Sequence, residues 1–404
     1  MPSSPQIPAK IPATSFGLAA REAMETLRAA LSDLLSALPG PIERAVDVER
    51  ALELDKKLAW QVFRLARSRT PAEVAKVPAP RSVARLLSAA SRQQVPEELL
   101  ARVRGAFEQF DAFAAAQAGD REALASMVRS VSGEGDEQEE VRLRRSLYRG
   151  NAQVWGLRMR QFVRSSIFLP PSSDPSAARG ELALSAHIGL EQMRADSHAA
   201  IVSWARPSGA TRADGTAEVV PAFTLHEEFC SRPLPRVTPR PGVGARMETE
   251  LSLPAVGKPG ATTLYTSQTL GEVRPETLAR FEVNNIFCIA VETVVFDLLI
   301  PAGWSNPGTA RAAFYGRRYH PEHVFERREA DLLAQRETLE RLGEFRGSMP
   351  EVPGAPRHAE AVMSVLGQCG CAGAGFEVYR ATVRYPVLHT LLALGVERRT
   401  EPRA

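Results

Sequence analysis

The feature that most constrains this chain is a change in apolar spacing on either side of Pro170-Pro171. Before it, leucine and valine recur every three or four residues, the repeat of a helix that buries one stripe. Beyond it, the apolar stretches are short, alternate with polar residues and are broken by Gly, Pro and Asn, the pattern of strands joined by turns. A chain of 404 residues is too long for one ordinary core. The expected fold class is therefore α+β: an N-terminal all-helical domain, then a mainly antiparallel, β-rich C-terminal domain with a few helices. Residues 1–14 hold four prolines and read as a disordered tail. The helical domain is expected over 15–169, a Pro/Ser/Ala linker over 170–180, and the β-rich domain over 181–404.

Within the first part, Leu27, Leu31, Leu34, Leu35 and Leu38 form one stripe of a helix over 18–38, which Pro39-Gly40-Pro41 ends. Further helices are expected over 42–52, 56–67, 71–78, 81–92, 96–117 and 120–130, with Asp120 suited to cap the last. An acidic loop over 133–140 precedes a long helix over 139–165. In the second part, strands are expected over 181–193, 198–205, 220–229, 245–253, 261–268, 285–300, 311–319 and 376–385. Helices are expected over 323–343, where Leu332, Leu333, Leu339 and Leu342 share one side, and over 356–367. Arg232 to Pro241, rich in Pro and Arg, reads as an extended surface loop.

Charge narrows the partners. From Lys56 to Arg104 there are eleven basic residues against three acids, inside a chain whose net charge is only +3. Such a segment is either a surface for phosphates or a solvated Arg-rich face. The four cysteines, Cys230, Cys288, Cys369 and Cys371, are too few for a disulfide framework. They point to free thiols in a reducing compartment, the cytoplasm. The first twelve residues lack the apolar core of a signal peptide. The most apolar run, Ile286 to Ile300, is too short and too charged to span a bilayer.

One stretch carries a mechanism. From Asp47 the chain reads Asp-Val-Glu-Arg-Ala-Leu-Glu-Leu-Asp-Lys-Lys-Leu-Ala-Trp-Gln-Val-Phe-Arg. Over residues 42–67 this resembles the helix-turn-helix of bacterial DNA-binding transcriptional regulators. Val48, Ala51 and Leu52 match the apolar face of the first helix, Leu54 the buried residue after the turn, and Asp55 the cap of the next helix. Ala59 and Val62 match the inward face of the recognition helix. The resemblance implies that Lys56, Lys57, Trp60, Gln61, Arg64 and Arg67 face double-stranded DNA, with Lys and Gln at base edges and the arginines on phosphates. It also implies a C-terminal sensing or dimerisation domain, and so a homodimer. The turn, where the family commonly has Gly, holds Glu53, which must then adopt a positive φ. Trp60 fits either an exposed groove position or a core anchor. The competing reading is a helical bundle that serves as a protein-interaction scaffold without nucleic acid.

Other candidates are weaker. His226, Glu228 and Cys230 share one face of an expected strand, but alternate residues of a flat strand lie about 7 Å apart, too far for one tetrahedral ion. His320 and His323 flank Glu322 at an expected helix start. Cys369-Gly370-Cys371 lacks the two-residue spacer of a zinc or redox motif. Glu292 and Asp297 interrupt the most apolar strand, as perturbed acids in a pocket or as partners of arginines. There is no Gly-x-Ser-x-Gly, no Walker A lysine, and no third glycine after Gly242-Val-Gly244. No catalytic residue, metal or cofactor is assigned.

Overall fold

A computed structural model describes residues 15–67, 71–132, 137–170, 180–211, 217–221, 223–241, 246–271, 278–316, 332–333 and 337–399. The chain divides into two compact units, Met1–Glu139 and Glu140–Ala404. The division thus falls about thirty residues before the boundary expected near residue 170. Tail residues 1–14 lie outside the described residues, as do His320 and His323.

The first unit is helical. α1 (Ser15–Ser36), α2 (Ala45–Leu52), α3 (Lys56–Arg67), α4 (Pro80–Arg92), α5 (Glu97–Ala118) and α6 (Arg121–Ser132) follow one another, with a 3-10 turn over Pro71–Lys76. The leucine stripe of α1 is fully used: Leu27, Leu31 and Leu34 are buried in one core with Val62, Leu65, Val103 and Phe107. α1 packs on α3 and α5, and α2 packs on α3. Asp120 caps α6, accepting from the backbone N–H of Glu122 at 2.9 Å and of Ala123 at 2.8 Å.

The second unit is α+β. It opens with α7 (Glu137–Trp155), whose Tyr148 and Ala152 pack with Ala290 and Tyr385. The expected helix over 139–165 is half wrong. Gly156 ends it at φ 68°, and residues 157–168 form β1 (Leu157–Phe168) instead. A Cβ at Gly156 would lie 2.8 Å from Ser197 Cβ, so only glycine makes this bend. Residues 157–160 alternate buried and less buried as a strand does, but residues 161–168 are buried throughout, so the second half of β1 carries no alternation to set it apart from a helix.

The strands that follow are β2 (Glu181–Gln192), β3 (Ala199–Thr211), β4 (Ala217–Pro221), β5 (Thr224–Leu225), β6 (Arg236–Pro241), β7 (Arg246–Ser252), β8 (Thr262–Gly271), β9 (Arg280–Ile286), β10 (Ala290–Pro301), β11 (Arg311–Gly316), β12 (Glu340–Arg346), β13 (Gly375–Arg384) and β14 (Thr390–Glu397). A seven-stranded sheet runs β12-β13-β10-β1-β2-β8-β5, a three-stranded sheet runs β11-β14-β9, and a four-stranded sheet runs β4-β3-β7-β6. Pairing is antiparallel except between β1 and β10. The apolar run is the expected two-faced strand, though it breaks after Ile286 so that β9 and β10 enter different sheets. Val294, Phe296, Leu298 and Ile300 of β10 pack in one core with Phe281 and Val283 of β9 and Leu392 and Leu394 of β14. Val295 and Leu299 pack on the other face with Ala361, Val362 and Val365 of α8 (His358–Gln368). α8 matches the helix expected over 356–367.

Three other expectations need correction. Of the helix expected over 323–343, only 332–333 and 337–343 are described, and Glu340 onward is strand β12. Pairing to β13, with an irregularity at Gly343 (φ 124°), outweighs the helical spacing of the leucines. The Pro-rich stretch expected as a surface loop supplies β6, an edge strand, where Pro239 and Pro241 are tolerated. β14, for which the sequence reading gives no element, is the middle strand of the three-stranded sheet.

Candidate nucleic-acid interface

The corner between α2 and α3 is set by backbone and by two carboxylates. Asp47 accepts from the backbone N–H of Arg44 at 2.8 Å and of Glu43 at 3.2 Å. The Arg44 amide holds its carboxyl below the usual range, against a smaller opposing effect of burial. α2 ends at Glu53, whose φ of 50° and ψ of 41° are left-handed. Its N–H donates back to Glu49 O, as in an αL cap. The bend that usually calls for glycine is therefore made by a glutamate whose side chain stands in solvent.

Asp55 begins α3. Its Oδ1 accepts from the backbone N–H of Leu58 at 3.0 Å, and that bond is the main reason its carboxyl is held low. Its other oxygen meets Arg85 at 3.0 Å. With this start, the side chains of α3 divide cleanly. Leu58, Ala59, Val62, Leu65 and Ala66 are buried. Lys56, Lys57, Trp60, Arg64 and Arg67 are exposed, and Gln61 is half-buried. Lys56, Lys57 and Trp60 line a shallow groove against Ala45, Val46 and Glu49 of α2.

The six residues singled out from the sequence thus share the outer side of one helix, but they are not equally free. Arg64 Nη2 meets Glu73 at 2.8 Å, and Lys76 Nζ meets the same carboxylate at 2.7 Å. Both cations also sit against the Trp60 ring, at 5.9 Å and 5.3 Å from its centroid. Arg67 donates to Ile42 O at 3.1 Å. Trp60, 43 % exposed, is no core anchor. Its ring instead makes cation–π contacts with Arg64 and Lys76.

In the second unit the remaining candidates resolve into structural pairs. Asp297 accepts from Arg380 Nε and Nη2 at 2.7 and 2.8 Å. Burial pushes its carboxyl up, and the guanidinium opposes that. Glu292 accepts from Tyr148 Oη at 3.2 Å. His226 Nε2 lies 2.8 Å from Ser267 Oγ, and Cys230 Sγ donates to His226 O at 3.2 Å. Among the described residues no three His, Cys, Asp or Glu side chains are placed to share a metal.

A pairing that sequence reading missed is Ser165 Oγ with His358 Nε2, 2.8 Å apart. It has the elements of a nucleophile and base. However, Ser165 and His358 are each 1 % exposed, no carboxylate orients His358, whose Nδ1 has no partner among the described residues, and burial drives the ring down to about 3. The void that Ser165 and His358 line measures about 10 Å³, too small for a substrate carbonyl. The pair ties α8 to β1 through the middle of the sheet.

The chain matches no family model and no curated protein. Among solved structures it is similar, at 11% identity and a TM-score of 0.24, to a Parabacteroides distasonis protein described as a protease candidate, over 59% of this chain and 40% of that one. A flavohemoglobin from Malassezia yamatoensis, with FAD and heme bound, is similar at 14% identity and a TM-score of 0.09, over 65% of this chain and 63% of that one. The chain therefore spans less than half the length of the first of these. Likeness at this level does not define a shared fold. The residues themselves define a two-unit α+β protein whose helical unit carries two short helices, α2 and α3, joined by residues 53–55. No helix among the described residues is long and apolar enough to cross a membrane.

Proposed function

We propose that the helical unit binds double-stranded DNA through α3, and that the chain is a cytoplasmic, sequence-specific transcriptional regulator whose β-rich unit senses a ligand or dimerises. One observation carries the reading: a left-handed Glu53 followed by an Asp55 cap turns the basic, amide-bearing side of α3 outward. A short helix, a three-residue turn and a second helix are the parts of a DNA-binding corner. Lys56, Lys57 and Gln61 stand at the start of the second helix, where base edges are read. Arg64 and Arg67 lie further along, where phosphates would compete with Glu73 and Ile42 O for them.

The test is selection of bound duplexes from a random pool at low salt, followed by anisotropy titrations. Removing a base contact costs about 1–3 kcal/mol. Lys57→Ala with Gln61→Ala removes two such contacts and is therefore expected to weaken the selected site by ~30-fold or more while weakening random duplex much less. No binding at low salt, or equal loss on both duplexes, overturns the sequence-specific reading. A second reading, a protein-interaction scaffold, is favoured by Trp60 and its two flanking cations, since Trp and Arg dominate protein contacts. It predicts that Trp60→Ala abolishes capture of a protein partner with no DNA in the assay.

A further inference from the structure

The larger sheet carries a cavity on the face that packs toward β9, and its floor is set by strand register. Arg164 of β1 stands opposite Ser185 of β2, which stands opposite Thr266 of β8. One row along, Phe162 stands opposite His187, their rings 5.1 Å apart. The end of β9 and the crossing to β10 close the space from above through Asn285 and Phe287. Met159 and Val291 complete an apolar side. The space is about 160 Å³. An apolar cavity of about 150 Å³ holds benzene, so the occupant is one ring or a branched chain of similar bulk.

The polar end is more specific. Arg164 is only 8 % exposed. Its Nε donates to Ser166 Oγ at 3.4 Å and its Nη1 to Asn285 Oδ1 at 3.2 Å. Both partners are neutral, and its guanidinium also sits 5.7 Å from the centre of the Phe296 ring. The carboxylate that acts on it electrostatically, Glu181, takes its hydrogen bond from Ser166 instead. Among the described residues no carboxylate is hydrogen-bonded to Arg164; a buried cation so placed is costly, and a planar carboxylate is the group whose geometry matches its fork. His187 adds no second charge: burial drives it down to about 4, and its Nδ1 is buried without a partner among the described residues. Arg164 is the cation in a lining whose other polar groups, Ser185, Thr266, Gln268 and Asn285, are neutral and whose remaining side is apolar, and this selects a monoanion with an apolar body.

We infer that this cavity is a binding site for a small monocarboxylic acid of about the bulk of benzoate, its carboxylate on Arg164 beside Asn285 and its apolar body between Phe162, Phe287 and Val291. The inference stands on the second unit alone and is independent of DNA binding by α3. The experiment is calorimetric titration of the full chain with benzoate and 3-methylbutanoate, with benzamide as the neutral isostere and inorganic phosphate as the anion lacking an apolar body. Saturable binding of at least one acid is expected, with benzamide and phosphate each weaker by about tenfold or more. Asn285→Asp is nearly isosteric and keeps an acceptor for Arg164, but it places a negative charge beside the carboxylate. It is expected to weaken the acid by about tenfold or more without lowering the unfolding temperature. Arg164→Gln removes the cation and is expected to abolish discrimination between benzoate and benzamide. No saturation by either acid up to about 10 mM, phosphate or benzamide bound as tightly as the acids, or unchanged binding by Asn285→Asp overturns the assignment.

Discussion

Replacing Glu53 by glycine is expected to stabilise the helical unit, and the size follows from one dihedral angle. Glu53 sits at φ 50°, ψ 41° with its side chain in solvent. Among the described residues its backbone N–H bond to Glu49 O is one that any residue can make. Substitution therefore removes little packing. A side chain in left-handed backbone costs about 1–2 kcal/mol, and glycine relieves that while losing somewhat more chain entropy on folding. The net expectation is about 1 kcal/mol in favour of Glu53→Gly. For a unit of this size that is roughly 3–5 °C in its melting temperature. Glu53→Gln changes the charge but not the strain and should leave the transition in place within about 0.5 kcal/mol. Glu53→Val, β-branched, should lower it by about 1 kcal/mol or more. Differential scanning calorimetry of the full chain reads all three. Should glycine melt no higher than glutamine, the left-handed corner that aims α3 outward is not what holds these two helices at their angle.

Acid should weaken the second unit. Burial lowers His187 to about 4 and His358 to about 3, so both stay neutral when folded and take a proton near pH 6.5 when unfolded. The unfolded state then binds the extra protons. The stability these rings contribute is full above pH 6.5 and is lost as pH falls from there toward their folded values, with a slope of up to about 1.4 kcal/mol per pH unit for each ring. Urea midpoints from pH 7.5 to 5 measure it, and His358→Gln should flatten the profile; an unchanged slope refutes the neutral-histidine account. Asp297→Ala leaves the half-buried Arg380 without its two carboxylate contacts, with only its bond to Glu351 O remaining, and is expected to cost about 3 kcal/mol by chemical denaturation. A loss below about 1 kcal/mol would show that Arg380 finds water there instead. Ser165→Ala should cost about 1–3 kcal/mol by leaving His358 Nε2 unpaired, and a neutral result would mean that the ring turns to another partner.

The amino-acid order by itself determined the local part of this protein. The leucine stripe of α1, the Asp55 and Asp120 caps and the double-sided apolarity of β10 depend on residues within a few positions of one another, and each appears where the pattern places it. So do the helical first part and the β-rich second part. What only the tertiary structure decided are matters of distant partners. Residues 157–168 read as a continued helix because only the first four alternate and the rest are covered on both faces, and β2 and β10 lying alongside make them a strand. The leucines before residue 343 read as helical until β13 supplies the ladder for β12. Arg164, Ser185, Thr266 and Asn285 come from four strands spread over about 120 residues, and no spacing in one dimension predicts that sheet register brings them around one cavity. The pairing of Asp297 with Arg380, and of Ser165 with His358, is likewise decided by which strand and helix lie next to which. Local free energy sets helix caps and stripes, whereas the neighbours of a strand are chosen by the packing of the whole chain.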